Sequence, residues 1–225
     1  MIHNGMTHGH FDVQSFETPG LTQEKLDDIL GPRHTRGPGT IDSWLAGQEP
    51  VQKAVGGNLV FDHFAAIMFQ KLFGGASTGI PFSQDSTAAF LATINFEDVD
   101  AEPTYTETAG GSFISPSSMN NLVATTAWKR FIDDDVEAHL ITSDPDGREA
   151  INIRSRWLFL PLDFNDNDIR SLAAWWCADG DGTAAQYRHR VARIRLKDSG
   201  GSPIIINKTA NQSLFVEYNF TLVSV

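Results

Sequence analysis

Leu214, Val216, Tyr218, Phe220 and Leu222 recur at every second position near the C-terminus, with Ser213, Glu217, Asn219 and Thr221 between them. A period of two is the signature of a strand with one buried face, because successive side chains of a strand point to opposite sides. A helix would scatter the same five residues around its axis. A chain closing on such a segment is expected to bury its last residues in a sheet, which leaves the N-terminal end as the free one.

The 225 residues suffice for one sizeable core plus an extension. Upstream, Phe90–Phe96 alternates with Phe90, Ala92, Ile94 and Phe96 inward, and further strands are expected at Val136–Ser143, Ile151–Pro161, Ile169–Cys177 and Tyr187–Lys197. Asp144–Gly147, Asn165–Asp168, Asp179–Gly182 and Asp198–Gly201 separate them with residues suited to tight turns. The pattern predicts a mainly β fold: an antiparallel β-sandwich, jelly-roll-like, with one packed α-helix and an extended N-terminal arm. The helix is expected at 58–73, where Leu59, Phe61, Phe64, Ala65, Met68, Leu72 and Phe73 follow helical spacing, with Asn58 as N-cap and Gly74-Gly75 as stop. Residues 1–50 are rich in Gly and Pro and read as an arm ordered by a neighbour, with a short helix at Gln23–Leu30 capped by Thr22. Residues 51–225 form the sandwich domain, in which 98–120 reads as a long contact loop.

The formal charge of −11, from 17 Lys and Arg against 28 Asp and Glu, argues against a dedicated nucleic-acid binder. No run of about 18 apolar residues suggests a membrane span, and the N-terminus lacks the pattern of a secretory signal. Cys177 stands alone between Trp176 and Ala178, as a buried small residue would in a reducing cytoplasm. No nucleophile elbow, zinc-binding His pair, phosphate loop or dinucleotide fingerprint occurs, so neither an enzyme nor a cofactor is expected. Glu97, Asp98, Asp100, Glu102 and Glu107 could pair as glycosidase carboxylates, but abundant acids make such pairs by chance. Asp133–Asp135 and Asp163–Asp168 do not have the spacing of calcium ligands, the second lacking the glycine and distant glutamate of a calcium loop, and they read as solvated turns. His3, His8 and His10 lack the supporting groups a metal centre needs, and no metal is expected.

Arg188, Arg190, Arg193, Arg195 and Lys197 concentrate positive charge on one strand of an acidic protein. Two explanations compete: a charged edge strand that prevents unwanted pairing, and a surface that docks on an acidic patch of a neighbouring subunit. The apolar phase shifts near Val191-Ala192, which predicts a bulge or a strand changing sheets. Trp157, Trp175 and Trp176 could form a sugar-stacking platform, although core packing suits alternating strand positions better.

Taken in order, Gly56-Gly-Asn-Leu-Val60 opening a helix, Gly74-Gly75 closing it, a strand after a small-residue loop, the segment Glu149–Pro161, Ile169-Arg-Ser-Leu-Ala173 and finally Ser202–Leu222 resemble structural proteins of tailed bacteriophages. Tail and collar proteins of that group similarly end in a Pro-Ile, a Lys, a short polar turn and an apolar-Val-x-Tyr strand. This chain departs from them at Ala173-Ala-Trp-Trp176, where relatives carry a Gly-Leu-Phe strand. The resemblance covers about residues 55–225. It implies a non-enzymatic virion subunit of the tail, neck or baseplate, made in the host cytoplasm, with copies of itself and other virion structural proteins as partners. A receptor- or glycan-binding module at the tail tip is the alternative.

Overall fold

The structure, a computed structural model, describes residues 6–31, 38–58, 89–94, 128–130, 137–141, 150–163, 167–177 and 188–223. These are mostly β with few helices. The strands are β1 (Met6–Glu17), β2 (Pro50–Asn58), β3 (Ala89–Ile94), β4 (Trp128–Arg130), β5 (Glu137–Ile141), β6 (Ala150–Phe159), β7 (Asn167–Ile169), β8 (Ser171–Cys177), β9 (Arg188–Arg195), β10 (Ile206–Lys208) and β11 (Gln212–Val223). Two helices, α1 (Gln23–Leu30) and α2 (Pro38–Ala46), lie between β1 and β2. The described strands pair antiparallel in three sheets of order β2-β1-β11-β6-β5, β4-β3-β8-β9 and β10-β7.

The C-terminal strand forms where its alternation places it, but it is not half-buried. Leu214, Val216 and Tyr218 enter one core cluster, and Phe215, pointing the other way, enters a second. The first cluster gathers Phe11, Val13, Trp157, Leu172, Ala174, Ala192 and Ile194 with residues from all three sheets. The second joins Phe16, Leu158, Leu160 and Phe215 to Leu21, Leu26 and Leu30 of the α1 region, with Trp44 and Leu45 of α2 packed at its side. β11 is therefore buried on both sides from Gln212 to Val216, and half-buried polar residues return on one side at Glu217 and Asn219.

The expected arm is corrected over its first third. Met6–Glu17 is an interior strand, hydrogen-bonded to β11 on one side and β2 on the other. Phe11, Val13 and Phe16 are sealed from solvent, and the Phe11 ring stacks on Tyr218 at 4.4 Å between centroids. The physical reason is a short alternating run inside a segment otherwise rich in Gly and Pro: Phe11 and Val13 share one face, and the strand needs no more to join a sheet. β1 and β11 lie side by side, so the N-terminal strand is held as firmly as the C-terminal one.

Other expectations hold. Thr22 caps α1, its hydroxyl accepting from Lys25 N–H at 3.3 Å, and Gly31 ends the helix at φ 80°. Asp198 closes the turn after β9 by accepting from Gly200 N–H and Ser202 N–H, each at 2.9 Å. Asp163 serves a turn, accepting from Leu160 N–H at 2.7 Å. The turn expected at Asn165–Asp168 is corrected at its end, because Asn167 and Asp168 belong to β7, where Asp168 accepts from the side chain of its cross-strand partner Asn207 at 2.9 Å. Trp157 is fully buried in the first cluster and is no stacking platform. Past Asn58, which ends β2, the helix expected at 58–73 lies outside the described residues, as do the loop at 98–120, Asp133–Asp135 and Glu97–Glu107.

The two larger sheets approach closely at Gly56. A Cβ there would stand 2.8 Å from the Ile194 Cδ1 and 3.3 Å from its Cβ, inside van der Waals contact, so a larger residue would force Ile194 or the strands to shift. Gly56→Ala should destabilise the fold by about 1–3 kcal/mol, the usual cost of overpacking, read as a lower midpoint in urea unfolding.

Candidate functional site

The strand nominated from sequence, β9, is the last strand of its sheet, with β8 on its paired side. Its register contains the expected bulge. Ala174 stands opposite Ala192 and Trp175 opposite Arg190, which leaves Val191 as the extra residue. The consequence is a change of phase. Without the bulge, Arg188 and Arg190 would share the side of Ala192 and Ile194, which face the core. With it, Arg188, Arg190, Arg193 and Arg195 all occupy register positions on the opposite side.

That side is not an open basic surface. Arg193 is 1% exposed, and its register neighbour Ala173 and nearby Ser171 are fully buried. Arg195 and Lys197 are half-buried. A guanidinium stays charged, so it is tolerated inside only with partners for its donors. The surface reading is thus corrected at Arg193, whose place is interior, while Arg188 and Arg190 are placed by backbone register alone.

Lys197 acts through its backbone. Val55 N–H donates to Lys197 O at 2.8 Å and Lys197 N–H donates back to Val55 O at 3.2 Å. This bridge ties the chain leaving β9 to the outer edge of β2, and a second bridge joins Lys197 to Pro203. The run that starts in one sheet therefore ends as a short patch on the edge of another.

Two further groups were not foreseen. Lys208 is fully buried, its ammonium donating to the Pro161 carbonyl at 3.0 Å and so clamping β10 over the end of β6. On the face of the five-stranded sheet that carries α2, Arg156 donates to Asp42 at 2.9 Å, Arg154 reaches the same carboxylate at 3.5 Å, and Arg154 lies 3.9 Å from Glu217. The Glu217 carboxylate also accepts from Asn219 at 2.7 Å. Two arginines spaced by one residue in an apolar strand were a usable signal for this cluster. Its acid on α2, Asp42, is 114 residues from Arg156, and nothing local reveals it.

Among the described residues no group of three or more His, Cys, Asp or Glu could hold a metal ion, and no helix is long and apolar enough to cross a membrane. His10 is exposed on β1 opposite Asn219. No family model, curated protein or solved structure matches the chain.

Burial ranks the basic positions. Arg193→Ala should cost about 1–3 kcal/mol or more, because it strips a charged donor from an interior site, whereas Arg195→Ala should cost clearly less. Paired urea melts check this. Equal, near-zero effects at both positions would return Arg193 to the surface.

Proposed function

We propose that the chain is a non-enzymatic structural subunit of a bacteriophage virion, of the tail, neck or baseplate, present in multiple copies. One observation carries this reading. Of the residues on which the resemblance to tail and collar proteins rests, Lys208 and the Phe215, Val216 and Tyr218 of the last strand are buried, while Pro203 is exposed and Ile204 half-buried. A likeness that falls mainly on core positions concerns how the chain folds, and so supports membership of a set of proteins that share an architecture. We also propose that the four- and five-stranded sheets are the two leaves of a sandwich. The shared core cluster and the close approach of Gly56 to Ile194 support that arrangement.

The assembly role takes a different form from a tethering arm. Because β1 belongs to the sheet, contacts with copies of the chain and with other virion proteins would be made by the outside of a folded body, as subunits of closed assemblies do. Mass-spectrometric quantification of purified particles from the phage that encodes the chain tests this. The chain should be present at several copies per particle and stay bound through a density gradient. Its absence from particles, with abundant protein in the infected-cell lysate, would refute the structural role.

A further inference from the structure

We propose that α2 is a strap held shut by Asp42, able to lift from the five-stranded sheet while the sheet and α1 stay folded. The two helices are fixed by different means. α1 buries Leu26 and Leu30 in the second core cluster and carries a hydrogen-bonded cap. Among its described side chains, α2 meets that cluster through half-buried Trp44 and Leu45, while Asp42, Ser43 and Ala46 are exposed. Nine residues are too few to persist as a free helix, so α2 depends on what anchors it.

Its polar anchor is lopsided. The Asp42 side chain is 50% exposed, yet its partner Arg156 is only 4% exposed. Water and salt reach the carboxylate, whereas the guanidinium beneath it has Asp42 as its charged partner on α2 at 2.9 Å and shares that carboxylate with Arg154. Lifting the strap takes the Asp42 carboxylate away from Arg156 and Arg154, the latter keeping Glu217 at 3.9 Å, beside the flank of the Phe16, Leu158 and Phe215 cluster. Paired guanidinium forks bind carboxylates and phosphates well. In the closed state Asp42 occupies them as a built-in stand-in for such an anion. This device does not depend on the assembly role.

Hydrogen exchange followed by mass spectrometry tests the strap on the full chain. In Asp42→Ala, amides of residues 41–46 should exchange at least tenfold faster, with β11 unchanged, and Asp42→Glu should restore most of the protection. In the parent protein, about 1 M sodium chloride, which shortens the screening length to about 3 Å, should speed exchange in α2 several-fold and leave β11 alone. Unchanged α2 protection in Asp42→Ala contradicts the proposal, as does loss of protection in α2 and β11 together under salt.

Discussion

The pairing of β1 with β11 is the constraint on which the rest of the structure depends. It joins Glu17 to Gln212 and Gly9 to Phe220, closing a loop of nearly the whole chain. Loop closure at such separation is costly in entropy and grows only slowly with length, so the contact must return much on forming. Phe11, Val13 and Phe16 do that. Each fully buried side chain of this size contributes roughly 1.5–3 kcal/mol, and the three together rival the net stability of a typical domain, about 5–15 kcal/mol. Polar contacts hold the end of the pair in register: Thr18 and Ser213 share a hydroxyl contact at 2.6 Å, Thr18 N–H donates to Asn211 O at 2.9 Å, and Gln212 donates to Glu17 at 2.7 Å.

With these two strands interior, both faces of the sheet must be covered near Phe215, and the chain supplies the covers from opposite directions. The segment between β1 and β2 folds back as α1 and α2 over one face, and β8 and β9 contribute Leu172, Ala174, Ala192 and Ile194 to the cluster on the other. The edge at β2 is guarded. Pro50 opens the strand, the register slips where Val51 is passed over, Lys53 is exposed, and Val55 is tied to Lys197. Proline, a bulge and a lysine are devices that keep an edge from pairing with other chains. The bulge at Val191 works differently, by shifting the register so that positions 188 and 190 fall in phase with Arg193 and Arg195.

Legibility followed the range of the interaction. The alternation of Leu214 to Leu222, the cap at Thr22, the turn at Asp198 and the phase shift at Val191 are local patterns, and each was visible in the residues that make it. β1 was obscured because Gly and Pro on either side of Phe11 to Phe16 outweighed a short apolar run, and one of its two partners, β11, lies about 200 residues away. Phe215 was hidden by neighbours that read as one polar face, since a second cover over the sheet cannot be inferred from one strand. Of the nominated basic positions, spacing revealed the strand but not burial. Arg193 looks like Arg195 in sequence and differs only in what lies over it. Arg156 and Asp42, like Lys208 and Pro161, meet through tertiary structure alone.

The central claim is that the N-terminal strand is part of the core and not an appendage. It is tested most directly by urea unfolding of the chain lacking residues 1–17, followed by circular dichroism and tryptophan fluorescence. The account predicts no cooperative transition, because β2 and β11 lose their common partner and Tyr218 its stacking ring. A cooperative transition with a midpoint close to that of the full chain would contradict it and restore the N-terminal segment to the role of a dispensable arm.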